Sequence, residues 1–357
     1  MPTTRPRPRS TVRLRIGLVA TAASVCAVAV AAPAHACGGL IGENGTISLV
    51  RTTTLAAYHD GVERYVTSFE FTGEGEELGS IVPLPDVPTA VERGGDWTLQ
   101  RLAQEVAPQR DGDELAAAAT DAAGGAEVLL EAEIDALDIT VLRGGGDEVG
   151  RWALDNGFLL TPDAPEVLDF YARRSPVFMA ARFDASRARA LGQSSGDGTP
   201  IMLTIPTDEP WVPLRILGLG LGDDETVEAD VFLLTDDTPK LLAGGRGLSL
   251  ERSEPAGAGL LADLRSDEGM GWVPDDMWFS HLTLETGASD LTYDLAVATS
   301  EGALPSITDA GVTAAAAQVP SAPTGRPTWP LLAGVAAGGV TLVALLVRRR
   351  SPAEVAG

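Results

Sequence analysis

The sequence predicts an α+β protein: a mainly antiparallel β ectodomain with a central two-helix insertion, plus one C-terminal transmembrane helix. Three observations lead there. Alternating apolar and polar residues, the period of a strand, recur over residues 47–85 and again from Ile201 onward. Two stretches with helical spacing, each with start or stop residues, interrupt the middle. An apolar run of 19 residues, "WPLLAGVAAGGVTLVALLV" at 329–347, lies close to the C-terminal end.

The chain opens with an export signal over residues 1–36. Arg5, Arg7, Arg9, Arg13 and Arg15 form a basic start, residues 16–32 form an Ala/Val-rich apolar run, and Ala34-x-Ala36 offers the small residues a signal peptidase reads. Cleavage after Ala36 would make Cys37 the first mature residue. The rival reading is a retained membrane helix, since the apolar run is long for a signal.

Strands come next. In "YHDGVERYVTSFEF" Asp60-Gly61 is a favoured two-residue hairpin turn. After it Tyr65, Thr67, Phe69 and Phe71 alternate with Arg64, Val66, Ser68 and Glu70, which predicts a half-buried strand. "SIVPLPDVP" predicts a strand ending at an edge or exit, because proline removes a ladder donor. "WTLQRLAQEVAP" predicts a short helix with Leu99, Leu102 and Val106 near one face, and the Gly/Ala/Asp-rich residues 110–126 a loop.

In the middle, "LDITVLR" reads as a strand. "GDEVGRWALDNG" reads as a helix carrying Val149, Trp152 and Ala153 on one face and ending at Asn156-Gly157. A second helix follows in "DAPEVLDFYARR", with Asp163 as cap, Pro165 in the first turn and Glu166 at capping-box spacing. "PVFMAARF" is again a strand. Beyond it "IMLTI", "WVPLRILGL", "TVEADVFLLT", "SHLTLET" and "LTYDLAVA" predict strands, with a short helix around "GAGLLADLR".

These elements define an acidic extracytoplasmic body over residues 37–301. An Ala/Pro/Ser/Thr-rich stalk without periodicity follows over residues 302–328. The run at 329–347 spans about 28 Å as a helix, close to the hydrocarbon thickness of a bilayer. Arg348, Arg349 and Arg350 stop its transfer, so the positive-inside rule makes residues 348–357 a cytoplasmic tail of a single-pass cell-membrane protein. "SAPTG" at 321–325 has the layout of a cell-wall sorting signal, with Ser321 where such signals carry leucine. The body holds 17 Lys and Arg against 48 Asp and Glu, more one-sided than the whole-chain net charge of −24. Such a surface repels nucleic acid and anionic headgroups and suits cations or basic partners.

Chemistry-bearing motifs are few. Cleavage removes Cys26 and leaves Cys37 as the mature chain's one cysteine, which rules out an internal disulfide. Three readings stay open for Cys37: an inert terminal residue, a thiol that pairs with another chain, and a lipidation site. Lipidation is the least suited, because Ala34 and His35 stand where a lipoprotein signal differs. Gly192-Gln193-Ser194-Ser195-Gly196 fits the nucleophile-elbow string, but it leads into a strand, and His281 downstream is expected to point away from Leu282 and Leu284. His59 adjoins the hairpin turn, and too few soft ligands remain for a zinc site. Loop carboxylates in "RDGDE", "GDDET", "TDDT", "PDDM" and "SDEG" are of the type calcium prefers, but without EF-hand spacing, and a solvated acidic loop is the favoured reading. The glycine runs at 144–146 and 218–222 lack dinucleotide-binding spacing.

In order, "CGG" at 37–39, "IVPLPDVP", "LDITVL", "RWALDNGF", "FMAARF" and "WVPLRI" resemble the bacterial family known as domain of unknown function 2330. The resemblance runs from Cys37 to about Ala298. It implies export, often with a C-terminal membrane helix, and no established activity. Many members carry a second cysteine soon after "CGG"; here Leu40-Ile41-Gly42 supplies none, which speaks against a short-loop disulfide.

The expectation is a non-enzymatic binding or envelope-structural module with no cofactor and no nucleic-acid ligand. Its partner would be an envelope or surface protein or ligand. The alternative is an extracytoplasmic enzyme or calcium-dependent module that uses the loop carboxylates.

Overall fold

The structure, a computed structural model, describes residues 39–42, 52–69, 77–107, 126–193, 199–243, 245–299 and 303–312. The strands are β1 (Gly39–Gly42), β2 (Thr52–His59), β3 (Val62–Phe69), β4 (Glu77–Leu84), β5 (Ala90–Arg93), β6 (Glu127–Ile134), β7 (Leu137–Arg143) and β8 (Val177–Asp184). They continue as β9 (Thr199–Pro206), β10 (Trp211–Val212), β11 (Thr226–Thr235), β12 (Lys240–Ala243), β13 (Leu248–Pro255), β14 (Trp278–Gly287) and β15 (Leu295–Ala298). The helices are α1 (Thr98–Val106), α2 (Gly146–Asp155), α3 (Ala164–Ala172), α4 (Ala185–Leu191) and α5 (Ala258–Ser266).

The strands form a seven-stranded sheet in the order β13-β14-β11-β2-β3-β9-β5, a five-stranded sheet β1-β4-β8-β7-β6, and a three-stranded sheet β10-β15-β12. All pairings are antiparallel except that of β11 with β2. The fold is therefore α+β and mostly antiparallel. The two-helix insertion is α2 and α3, lying between the paired strands β7 and β8. No helix among the described residues is long and apolar enough to cross a membrane, and residues 329–347 lie outside them.

Two hydrophobic clusters organise the body. The larger one joins the five-stranded sheet, α2, α3, the three-stranded sheet and one face of the seven-stranded sheet. The smaller one covers the other face, where Leu55, Val66, Phe232 and Phe279 meet Leu99 and Leu102 of α1 and Leu260, Leu261 and Leu264 of α5. Each such buried side chain contributes roughly 1.5–3 kcal/mol. The second cluster corrects the expectation of a half-buried β3: Val66 is fully buried, because helices seal the face that alternation assigns to solvent.

Local chemistry departs from the sequence reading at several points. The "WVPLRILGL" segment is a two-residue strand followed by a 3-10 turn at Arg215–Gly218, since Pro213 has no N–H and the N–H groups of Leu214 and Arg215 donate to Asp294. Asp163 stands at the N-cap position of α3 without capping it, and its carboxylate accepts from Gly220 N at 3.0 Å. Glu166 pairs with Arg215 instead of closing a capping box. β4 is internal to its sheet and not an edge, but it exits at Leu84, just before Pro85; described β1 pairs only with residues 78–81 and does not reach Pro83. Within the range assigned to the stalk, residues 303–312 lie on the body: Ala310 is buried and its carbonyl accepts from Asp294 N at 3.0 Å.

Candidate functional site

The hairpin between β2 and β3 turns at Asp60 (φ 52°) and Gly61 (φ 75°), the left-handed pair that matches strand twist. His59 at the end of β2 lies beside the end of β11, the parallel neighbour. There His59 Nδ1 and Asp236 Oδ1 are 2.6 Å apart. A carboxylate only accepts, so Nδ1 carries the proton in this contact. Asp236 Oδ2 also accepts from Asp60 N at 3.3 Å, and His59 Nε2 lies 3.4 Å from Asp60 Oδ2. The three residues bring ligand-type atoms within 4.8 Å of one another, the one such group among the described residues. Each is already engaged in holding the hairpin tip to β11.

One residue row inward, the core face changes character. Thr235, Tyr58 and Glu63 are successive cross-strand partners on β11, β2 and β3, a polar row on an apolar face. Tyr58 Oη donates to Thr207 O at 2.9 Å, and Thr235 Oγ1 donates to Asp237 O at 2.7 Å. Glu63 is 1% exposed, and neither carboxylate oxygen has a hydrogen-bond partner among the described residues. Burial in this apolar setting drives its carboxyl up to about 8. Burial also raises the Tyr58 phenol, helped by the negative charges of Asp208, Glu63 and Asp236.

Elsewhere buried acids brace the fold. Asp294 accepts from Tyr171 Oη at 2.8 Å, Arg174 Nη1 at 2.5 Å, Leu214 N at 2.6 Å and Arg215 N at 2.9 Å. Arg174 lies over the Trp211 ring at 4.3 Å, an attractive cation–π placement. Asp267 accepts from Asp96 N, Trp97 N and Thr98 Oγ1 at 2.8–3.1 Å, so it caps α1 from a distant part of the chain. Asp138 meets Arg182 and Arg187, and Asp135 meets Arg93.

Among the described residues, the loop carboxylates singled out in the sequence do not converge. Asp236 belongs to the hairpin staple, Asp267 caps α1, Asp275 pairs with Arg265 at 2.7 Å, and Glu225 accepts from Gly222 N at 2.6 Å. Residues 110–114 lie outside the described residues. His281 points away from Leu282 and Leu284 as expected, yet it is buried: Phe232 stacks on its ring at 4.8 Å and Asp230 meets Nε2 at 2.8 Å. Gly192 is the left-handed C-cap of α4, followed by β9, so the G-x-S-x-G string runs from helix to strand, the reverse of a nucleophile elbow. Ser194 and Ser195 lie outside the described residues, as do Ala36, Cys37, Arg348, Arg349 and Arg350. Glu63 escaped the sequence reading, although it stands two residues before inward-facing Tyr65, a position that alternation turns to the core.

The sequence matches, over residues 30–221, the family described as "Uncharacterized protein conserved in bacteria (DUF2330)", which is more than half of the chain. The chain belongs to this family. The DUF2330 match includes Tyr58, His59 and Glu63 and ends before Thr235, Asp236 and Asp294. No curated protein matches the chain. Among solved structures, baculovirus P35 is similar at 10% identity and TM-score 0.37, covering 70% of this chain and 96% of its own. A mutated baculovirus P35 after caspase cleavage is similar at 9% identity and TM-score 0.35, covering 70% and 99%. Superposition at that level carries no functional argument.

Proposed function

We propose that this DUF2330 chain is an exported, single-pass membrane protein whose acidic body acts outside the cytoplasm as a binding or envelope-structural module. The observation that carries this reading is the bracketing of the body. A basic and apolar start ending in Ala34-x-Ala36 precedes it, and a 19-residue apolar run closed by Arg348, Arg349 and Arg350 follows it. The body's charge supports a binding role: residues 37–301 hold 17 Lys and Arg against 48 Asp and Glu, a strongly acidic surface. A partner for such a surface is basic, or reaches it through a cation. A calcium-dependent role has weaker support, since His59, Asp60 and Asp236 already hold one another.

N-terminal sequencing of the mature chain, with membrane fractionation, tests the reading. It expects a start at Cys37 and recovery in the membrane fraction that resists high salt. A chain beginning at Met1, or one released by salt, would contradict it.

A further inference from the structure

The other deeply buried acids have partners from the protein, whereas the Glu63 carboxylate has no hydrogen-bond partner among the described residues. Asp138 and Asp294 meet guanidinium groups, and Asp267 meets backbone N–H groups. Both Glu63 oxygens are sealed from solvent without a hydrogen bond. The side chain lines a cavity of about 10 Å³, together with Ala56 and Tyr58 of β2, Leu233 and Thr235 of β11, Pro210, Val212 of β10 and Val297 of β15. That is room for about one water molecule. The cavity lies in the seam where the three-stranded sheet meets the seven-stranded sheet.

The groups facing Glu63 give no support to its anion. β2 contributes Tyr58, the one titratable side chain among its neighbours in the cavity wall; β11, β10, β15 and Pro210 contribute none. The register partner on β9 is Ile205. Asp208 and Asp236, which act on Tyr58, are negative. Arg64, next in β3, lies on the opposite face over the Trp272 ring at 4.5 Å. A hard metal cation asks for roughly six to eight oxygen ligands. Here the side chains of the wall offer, besides Glu63, the oxygens of Tyr58 and Thr235 alone, and those hydroxyls donate to Thr207 O and Asp237 O, not to Glu63. A proton on the carboxylate removes the buried charge without any further ligand.

We propose that Glu63 makes closure of the three-stranded sheet onto the seven-stranded sheet proton-dependent: the closed seam holds the acid form, and opening releases one proton to solvent. The carboxyl at about 8 in the closed seam, against 4.5 when solvated, sets the window. Within that interval each pH unit eases opening about tenfold, and above it the effect levels off. β15 leads toward residues 303–312, so the seam also governs how firmly the C-terminal part of the body is held.

Hydrogen exchange on the full chain in detergent, at pH 6 and pH 8 with times corrected for intrinsic chemistry, tests it. Peptides containing β10 and β15 should exchange at least about tenfold faster at pH 8, and Glu63→Gln should abolish the difference. Equal corrected exchange at the two pH values, or the same acceleration in E63Q, would overturn the proposal. A carboxyl-carbon NMR titration of the unsubstituted chain guards against a variant that fails to fold. A Glu63 midpoint near 8 supports the latch, and one near the ordinary carboxylate range refutes it.

Discussion

Tyr171 and Asp294, 123 residues apart in the chain, are joined by a buried hydrogen bond of 2.8 Å that the phenol donates. The same phenol oxygen accepts from Ile216 N at 2.9 Å, so one tyrosine ties α3, the 3-10 turn and the approach to β15. Replacing Asp294 by Ala leaves Arg174 buried without its carboxylate, which should cost about 3–5 kcal/mol. Tyr171→Phe, which strips one donor and one acceptor, should cost about 1–3 kcal/mol. Chemical denaturation of the two variants checks both values, and near-equal stabilities for D294A and the parent would refute the brace.

The cap on α1 comes from outside the helix. Trp97 at its N-cap position offers no side-chain acceptor, and Asp267 takes that place from the end of α5. Asp267→Ala should lower stability by about 1–2 kcal/mol. Proteolysis should then open first at residues 95–98, where Gly95 (φ 83°) sits against the Asp267 carboxylate.

Glu63 ties stability to pH with a definite sign. Its carboxyl is raised in the folded chain, so between pH 4.5 and about 8 the folded form holds a proton that the unfolded form has lost. Stability from this group is fully present below 4.5 and is lost as pH climbs to 8, at about 1.4 kcal/mol per unit. Melting curves of E63Q against the parent should coincide near pH 4.5 and separate in favour of E63Q by pH 8. Parallel curves would remove the effect.

Calcium should leave the body unmoved. His59 Nδ1 and Asp236 Oδ1 staple the hairpin tip by a direct contact of 2.6 Å that a bound cation would have to break, so millimolar calcium should not raise the melting temperature. His59→Ala should cost no more than about 1 kcal/mol at so exposed a contact. A stoichiometric, saturable stabilisation by calcium, lost in Asp236→Asn, would reverse this assignment.

Gly311 (φ +71°) marks where the C-terminal segment meets the body. A Cβ there would lie 2.2 Å from Phe170 Cζ. Gly311→Ala should destabilise by about 1–3 kcal/mol through strain and overpacking, with faster cleavage within residues 303–312. Unchanged stability would detach this segment from the fold.

Much of this architecture is readable from the chain, for identifiable reasons. "TVEADVFLLT" and "SHLTLET" declare β11 and β14, because apolar alternation is a local property. The helix α2 declares itself through its apolar spacing and its Asn156-Gly157 end, and α3 through Pro165 in its first turn, although Asp163 and Glu166 are engaged elsewhere. β6 is hidden in "EVLLEAEI", whose pattern is weaker, and α4 is missed although Asp184 caps it through Ser186 N and Arg187 N. What stays illegible is long-range. Asp294 looks like a polar strand residue until Tyr171, Arg174 and Leu214 are brought to it. Alternation turns Glu63 inward with Tyr65, but its sealing is illegible until Val212 and Val297, from far along the chain, close over it.

The placement of the body outside the cytoplasm is tested most directly by adding protease to intact cells. The account predicts that residues 37–301 are digested along with known surface markers, while a tag on the tail after Arg350 stays protected until lysis. Survival of the body in intact cells while those markers disappear, or loss of the tail tag before lysis, would contradict it.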